Sequence, residues 1–178
     1  MKLLIVYASS EGQTRKIART IMDRIADSGQ SVELLPVSDA VGTDFSRFDR
    51  MIIAAPIHAG HYPRALVDFL SQEAENLRTL PTLFLSVSLA AAGHDAEEWR
   101  DLDHIEADFC AATGWHPGRV EQIAGAYKPS QYDVFRRYIM RRILAAKDPG
   151  ADLDADKEYT DWPALAALVD DWLAAADQ

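Results

Sequence analysis

With Cys110 as the only cysteine in 178 residues, an internal disulfide is impossible and the chain fits a reducing compartment. Nowhere do cysteine and histidine fall at zinc-ligand spacing, so no metal site is expected. No apolar run approaches the ~20 residues that cross a bilayer. The apolar stretch at the N-terminus carries one lysine and reads as a first strand rather than a signal peptide. Cations are scarce: 18 Lys and Arg stand against 28 Asp and Glu, and a net charge of −10 argues against a nucleic-acid partner. The nine glycines form neither the G-x-G-x-x-G of dinucleotide sites nor the glycine-lysine signature of P-loop NTPases. No nucleophile and base are arranged as a hydrolase requires. What the chain does have is apolar mass. At 48% hydrophobic residues it is no disordered segment, and its length suits one domain with a substantial core.

The most informative stretch runs from Leu3 to Thr14, where an apolar strand ends in small hydroxyl residues, a glycine and a threonine, and a helical pattern follows. Such a turn can cradle a phosphate, because the N–H groups of the loop and helix start point at the anion and the helix dipole favours its charge. Ser9, Ser10 and Thr14 add hydroxyls, Gly12 permits close approach, and Glu11 and Gln13 contribute backbone N–H groups. The Glu11 carboxylate would repel a phosphate and is expected to point away. An ordinary polar turn is the competing explanation. The pattern [ST]-x-x-G-x-T at a first strand resembles the FMN-phosphate loop of flavodoxins.

Strands and helices alternate along the rest of the chain. Ile17, Ile21 and Ile25 recur every four residues on a helix ending near Gly29; Val32–Val37 is a second strand, and Met51–Ala55 a third with no polar alternation. Pro63 opens a helix whose buried side is Leu66, Phe69, Leu70, Ala74 and Leu77. Thr82–Val87 is strand four, and the helix carrying Trp99, Leu102, Ile105 and Phe109 stops near Gly114. Cys110 falls on the stripe of that helix, and Met140 and Trp172 also read as packing residues. Val120–Ala124 is strand five, and a last helix from Asp161 turns Leu165, Leu168, Val169 and Trp172 inward. This order predicts an α/β, flavodoxin-like, doubly wound five-stranded parallel sheet, spanning residues 1–178 as one domain. Flavodoxin is itself the standard instance of strand order 2-1-3-4-5, with FMN at the switch point beyond the carboxyl ends of the strands.

Three loops would then meet a flavin: the first loop, the loop Pro56-Ile57-His58-Ala59-Gly60-His61-Tyr62, and Ser88-Leu89-Ala90. Gly60 would let the backbone near the ring, and Ile57, His58 or Tyr62 would pack on it or donate to it. About 35 residues separate strand five from the last helix, where a simple unit needs only a few. Within this insertion, set at about 127–158, Tyr132, Phe135, Ile139 and Ile143 fall on one helical stripe. Lys128, Arg136, Arg137, Arg141, Arg142 and Lys147 face only Asp133, so residues 127–147 carry +5 and the remainder −15. A basic helix with an apolar stripe suits an anionic membrane surface or a quinone-facing role. Packing on the sheet or on a second subunit of a homo-oligomer are the alternatives.

The chain resembles the flavodoxin-like, menaquinone-dependent protoporphyrinogen IX dehydrogenases of bacterial haem synthesis. The shared marks are Glu11-Gly12-Gln13-Thr14-Arg15, Gly60-His61-Tyr62, Ser86-Val87-x-Leu89, Ile123-Ala124-Gly125-Ala126 and Tyr159-Thr160-Asp161-Trp162, the last two flanking the insertion. His58-Ala59 departs from the family, where Arg-Tyr is common. The resemblance implies FMN as cofactor, protoporphyrinogen IX as substrate and menaquinone or ubiquinone as acceptor, in the cytoplasm or on the cytoplasmic face of the inner membrane. The flavin would carry the chemistry, with no protein catalytic residue. His61, Tyr62, Tyr127, Lys128, Arg136 and Arg137 would contact substrate or membrane, the two arginines through propionates. Two other functions compete. A flavodoxin-type electron carrier would need flavin loops richer in aromatics, and an NAD(P)H-dependent quinone reductase would need a nicotinamide site for which no second motif exists.

Overall fold

The computed structural model describes residues 1–175. Five parallel strands, β1 (Lys2–Tyr7), β2 (Ser31–Pro36), β3 (Arg50–Pro56), β4 (Thr82–Ser88) and β5 (Arg119–Ala124), form a sheet in the order β2-β1-β3-β4-β5. Helices α1 (Gln13–Asp27), α3 (Arg64–Glu73), α4 (Ala96–Thr113) and α6 (Trp162–Ala174) connect or follow them, with a short α2 (Val37–Ala40) after β2. The sequence expectation of a 2-1-3-4-5 doubly wound sheet therefore holds. Two local differences have simple causes. The second strand ends at Pro36, whose ring cannot donate to a ladder, and Val37 starts α2 instead. Pro63 is the residue before α3 rather than its first, with extended backbone at ψ 136°.

Successive strand residues face opposite sides, and both sides are covered. Leu3, Ile5, Ile52, Ala54, Leu83 and Leu85 pack under α1 and α6 on Ile17, Ile21, Ile25, Leu165, Val169 and Trp172. Leu4, Val6, Met51, Ile53 and Phe84 pack on the other side with Leu66, Phe69, Leu70, Phe109, Cys110 and Trp115. β3 and β4, both inner strands, are buried along their whole length, which is why they lack polar alternation. All five carboxyl ends emerge on one edge, and the loops after β1, β3 and β4, with the segment after β5, build the site.

The insertion sits at that edge. It opens with β6 (Ala126–Tyr127), which pairs antiparallel with β7 (Lys157–Glu158), so its two ends are held together where β5 leaves the sheet. Tyr159 N–H donates to Gly125 O at 2.9 Å and Thr160 Oγ1 to Ala124 O at 2.7 Å, closing the base. Between them, α5 (Val134–Lys147) begins at Asp133, whose carboxylate accepts the Arg136 N–H at 2.7 Å. Tyr132 precedes the helix, so the apolar stripe proper is Phe135, Ile139 and Ile143. The insertion has its own small core of Tyr127, Tyr132 and Leu144, with Leu89, Met140, Leu153 and Tyr159 packed around it.

A three-residue core stands or falls on its largest aliphatic member. Leu144→Ala should cost the insertion about 2–5 kcal/mol of local stability, as core leucine truncations do. In limited proteolysis over a urea series, cuts should then appear within residues 134–156 well before the sheet unfolds. Cleavage appearing only with global unfolding would show that the insertion has no separate stability.

Candidate functional site

The site begins where β1 hands over to α1. Gly12 occupies the residue before α1 with φ +91°, a left-handed conformation that suits glycine, and no side chain caps the helix. The N–H groups of Gln13, Thr14 and Arg15 thus have no acceptor inside the helix and point out of its positive end. Ser9 Oγ accepts the Gly12 N–H at 3.0 Å, which shapes the loop and leaves its own hydroxyl hydrogen free. Gln13 is buried, and its side-chain amide donates to Glu158 and Thr160, both at 3.0 Å, so it holds the closing end of the insertion.

The loop after β3 is a tight hairpin turn. His58 and His61 exchange backbone bonds of 2.9 and 3.0 Å around Ala59 (φ +49°) and Gly60 (φ +78°), the two positive angles of a type I′ turn. The loop after β4 is a single 3-10 turn in which Ser88 Oγ accepts the Ala91 N–H at 3.1 Å. These three loops line one cavity of about 700 Å³. Ser9, Ser10, Glu11, Gln13 and Thr14 stand at one end, Pro56 to Gly60 and Ser88 to Ala90 form its middle, and Gly12 lies on the adjoining face of the first loop.

The cavity does not end at those loops. It continues between α4 and α5, walled by Leu102 and Ile105 on one side and Phe135, Ile139, Met140 and Ile143 on the other. Glu98, Asp101 and Lys147 stand at its far rim, with Lys147 and Glu98 ion-paired across it. The contribution of α4 was not legible in the sequence, since Leu102 and Ile105 carry the same stripe that buries the helix on the sheet.

Arg136 joins the insertion to two of the loops. Its guanidinium forms a close ion pair with Glu11 and donates to His58 Nδ1 at 2.9 Å. A guanidinium only donates, so Nδ1 must accept; Nε2 then carries the hydrogen and donates to Ser10 Oγ at 3.0 Å. His58 is held as one neutral tautomer, its pKa lowered to about 4 by burial and by the neighbouring cation. Burial pushes the Glu11 carboxyl up, and Arg136 and Lys128 pull it back. The Glu11 side chain is thus turned to the insertion.

Several expected contacts lie elsewhere. Tyr62 is buried beneath the sheet, hydrogen-bonded to Ser86 at 2.8 Å and packed on Phe84 and Phe109; its ring is core, not cavity wall. Tyr127 is fully buried, donating to Leu153 O at 2.7 Å, because the antiparallel pairing of β6 turns it into the insertion's core. Both ring nitrogens of His58 are engaged within the protein, so it fixes loop geometry rather than offering a free donor. His61 is exposed on the turn, and Arg137 turns back to Pro129 O at 3.0 and 3.2 Å, outside the cavity lining. Lys128 reaches the first loop, where its Nζ donates to Glu11 O at 3.3 Å. Among the described residues no cluster of three or more His, Cys, Asp or Glu could hold a metal ion.

The flavodoxin domain profile matches residues 4–154. The protoporphyrinogen IX dehydrogenase (quinone) of Escherichia coli strain K12 is 30% identical over 168 residues, covering 93% of this chain and 91% of that protein. The protein of the same name from Leishmania major is 27% identical over 176 residues, covering 97% of this chain and 75% of that one. The solution structure of two-electron reduced Megasphaera elsdenii flavodoxin aligns with a TM-score of 0.52 at 20% identity, over 67% of this chain and 84% of that one, a likeness of fold.

The locked tautomer of His58 has a consequence for stability. Below pH 6.5 the unfolded chain protonates this imidazole, whereas the folded protein resists until about 4. Stability is therefore lost as pH falls through that window. Between pH 7 and 5, urea denaturation should show the native protein losing more stability than His58→Gln. Equal losses would mean that the imidazole is not held neutral.

Proposed function

The chain belongs to the flavodoxin-domain family of protoporphyrinogen IX dehydrogenases (quinone), and from that premise we propose that it oxidises protoporphyrinogen IX with FMN as cofactor and a membrane quinone as acceptor. The uncapped N-terminus of α1 fits a phosphate: three outward N–H groups, the Ser9 and Thr14 hydroxyls, and a lysine ammonium at the loop converge there. Ile57 to Gly60 and Ser88 to Ala90 would flank the ring. A bound flavin supplies the oxidation–reduction chemistry, which protein side chains by themselves do not.

The observation that carries the substrate assignment is the extension of the cavity between α4 and α5. An electron carrier needs only an exposed flavin edge, whereas a tetrapyrrole needs an apolar shelf beside it. Leu102, Ile105, Phe135, Ile139 and Ile143 provide that shelf, and they exclude water from one side of the site. Arg136 stands at its inner end, where it would orient a propionate, exchanging part of its contact with Glu11. Lys147, at the far rim, offers a second cation in the same role. His58 holds Ser10 and Arg136 in register and neither takes nor gives a proton. The side chains thus bind and position, and none is needed as an acid or base.

No helix among the described residues is long and apolar enough to cross a membrane. The outer face of α5 fits a bilayer surface instead. Val134 and Tyr138 are 87% and 59% exposed, beside Arg137 and Arg142, which have no carboxylate partner among the described residues. Peripheral contact with an anionic leaflet would bring the cavity mouth to the quinone. The strong positive patch of the sequence is smaller in the fold, because Arg136, Arg141 and Lys147 pair with Glu11, Asp154 and Glu98.

Three outcomes are expected. Anaerobically, FMN-loaded protein with protoporphyrinogen IX and a soluble menaquinone analogue should raise porphyrin fluorescence above the uncatalysed background; no rise would return the chain to the electron-carrier or quinone-reductase readings. Thr14→Ala should weaken FMN binding roughly 10- to 100-fold, the loss of one hydrogen bond to a charged group. The intact protein should cosediment with anionic liposomes at low salt, and Val134→Asp with Tyr138→Asp should abolish this; liposomes that never retain the intact protein would sink the membrane role alone.

A further inference from the structure

Lys128 brings a second charge of the insertion to the first loop, beside Gly12, where Arg136 is already committed to the Glu11 carboxylate. It follows β6, where its backbone N–H donates to Tyr132 Oη at 3.1 Å, and its side chain runs back across the edge of the sheet. Nζ ends 3.3 Å from Glu11 O and 3.9 Å from the point where a Cβ on Gly12 would stand. The residue is half-buried, and among the described residues no carboxylate lies within ion-pair distance of its ammonium. The nearest acid in the loop, Glu11, is committed to Arg136. An ammonium has three donors, and the protein occupies one of them, with the Glu11 carbonyl. It stands beside the start of α1, whose first N–H groups have no acceptor within the helix and no side-chain cap.

We infer that Lys128 is a phosphate ligand, supplying from the insertion the counter-charge for the phosphate monoester of the flavin. The assignment rests on the flavin reading above and moves Lys128 from substrate or membrane contact to cofactor. Three N–H groups and two hydroxyls bind a phosphate through dipoles alone; Lys128 adds a full charge, which favours the dianion over an uncharged ribityl hydroxyl. The loop therefore discriminates FMN from riboflavin through a residue more than a hundred positions away in the chain. It follows that cofactor and insertion are coupled. The phosphate would pin Lys128, and with it β6 and the Tyr127–Tyr132 core, against α1.

The test is a titration of apoprotein with FMN and with riboflavin, followed by quenching of flavin fluorescence. For Lys128→Met we expect FMN affinity to fall roughly 10- to 100-fold and riboflavin affinity to stay unchanged. Lys128→Arg should keep most of the FMN affinity, and the salt dependence of FMN binding should flatten only in Lys128→Met. Equal weakening of both ligands would mean that Lys128 merely holds the Glu11 carbonyl, and unchanged FMN affinity would mean that it contributes nothing; either overturns the inference. If the native apoprotein binds neither ligand, the flavin reading itself fails, and this inference with it.

Discussion

A parallel sheet must bury both its faces, and in this protein that requirement decides nearly everything else. Alternate residues of β1, β3 and β4 are apolar in both directions because helices lie above and below them. Covering both faces forces each connection to cross over, so every strand runs the same way and all five carboxyl ends meet at one edge. That edge is where backbone N–H groups, tight turns and helix N-termini gather with no further design. The loop after β1, the type I′ turn at His58–His61 and the 3-10 turn after Ser88 are three exits from one sheet. Their convergence follows from topology rather than from any attraction between them.

The insertion changes what that edge can do. In a plain doubly wound fold the loops would open to water on the side of β5. Here α5 stands across from α4 and extends the cavity into an apolar cleft. Its attachment is electrostatic at the cavity and hydrogen-bonded at its base. Arg136 reaches Glu11 and His58, Lys147 reaches Glu98, and Lys128 reaches the Glu11 carbonyl, while Tyr127, Tyr132 and Leu144 form a separate core beneath. A wall held chiefly by its own core and by a few charged struts can shift without disturbing the sheet. That would suit the proposed function, in which a large substrate and a quinone must both reach the same flavin.

The +5 segment shows how a charge count in sequence becomes something different in space. Six cations within 21 residues suggested a surface for an anionic partner. In the fold, half of them hold ion pairs, two with acids far away in sequence and one with Asp154 of the insertion itself, and Lys128 reaches the first loop. Only Arg137 and Arg142 keep an outward charge beside the exposed Val134 and Tyr138. Charge segregation was legible, but its use depended on which acidic residues the sheet edge brought within reach.

The sequence by itself determined the order of strands and helices, the both-sided burial of β3 and β4, and the position of the candidate phosphate loop. Each is local: apolar periodicity, a run of small hydroxyl residues, one glycine able to take φ +91°. It also marked the insertion, by length and by composition. What only the tertiary structure decided was partnership. Tyr62 and Tyr127 look like site residues beside glycine-rich turns, yet both rings turn inward, because pleat direction and pairing register set which way a side chain faces. The neutral tautomer of His58, the engagement of Arg136 with Glu11 and the reach of Lys128 to the first loop join residues 48 to 125 positions apart. No local pattern encodes such pairs, since the distance between them exists only once the sheet has brought its carboxyl ends together.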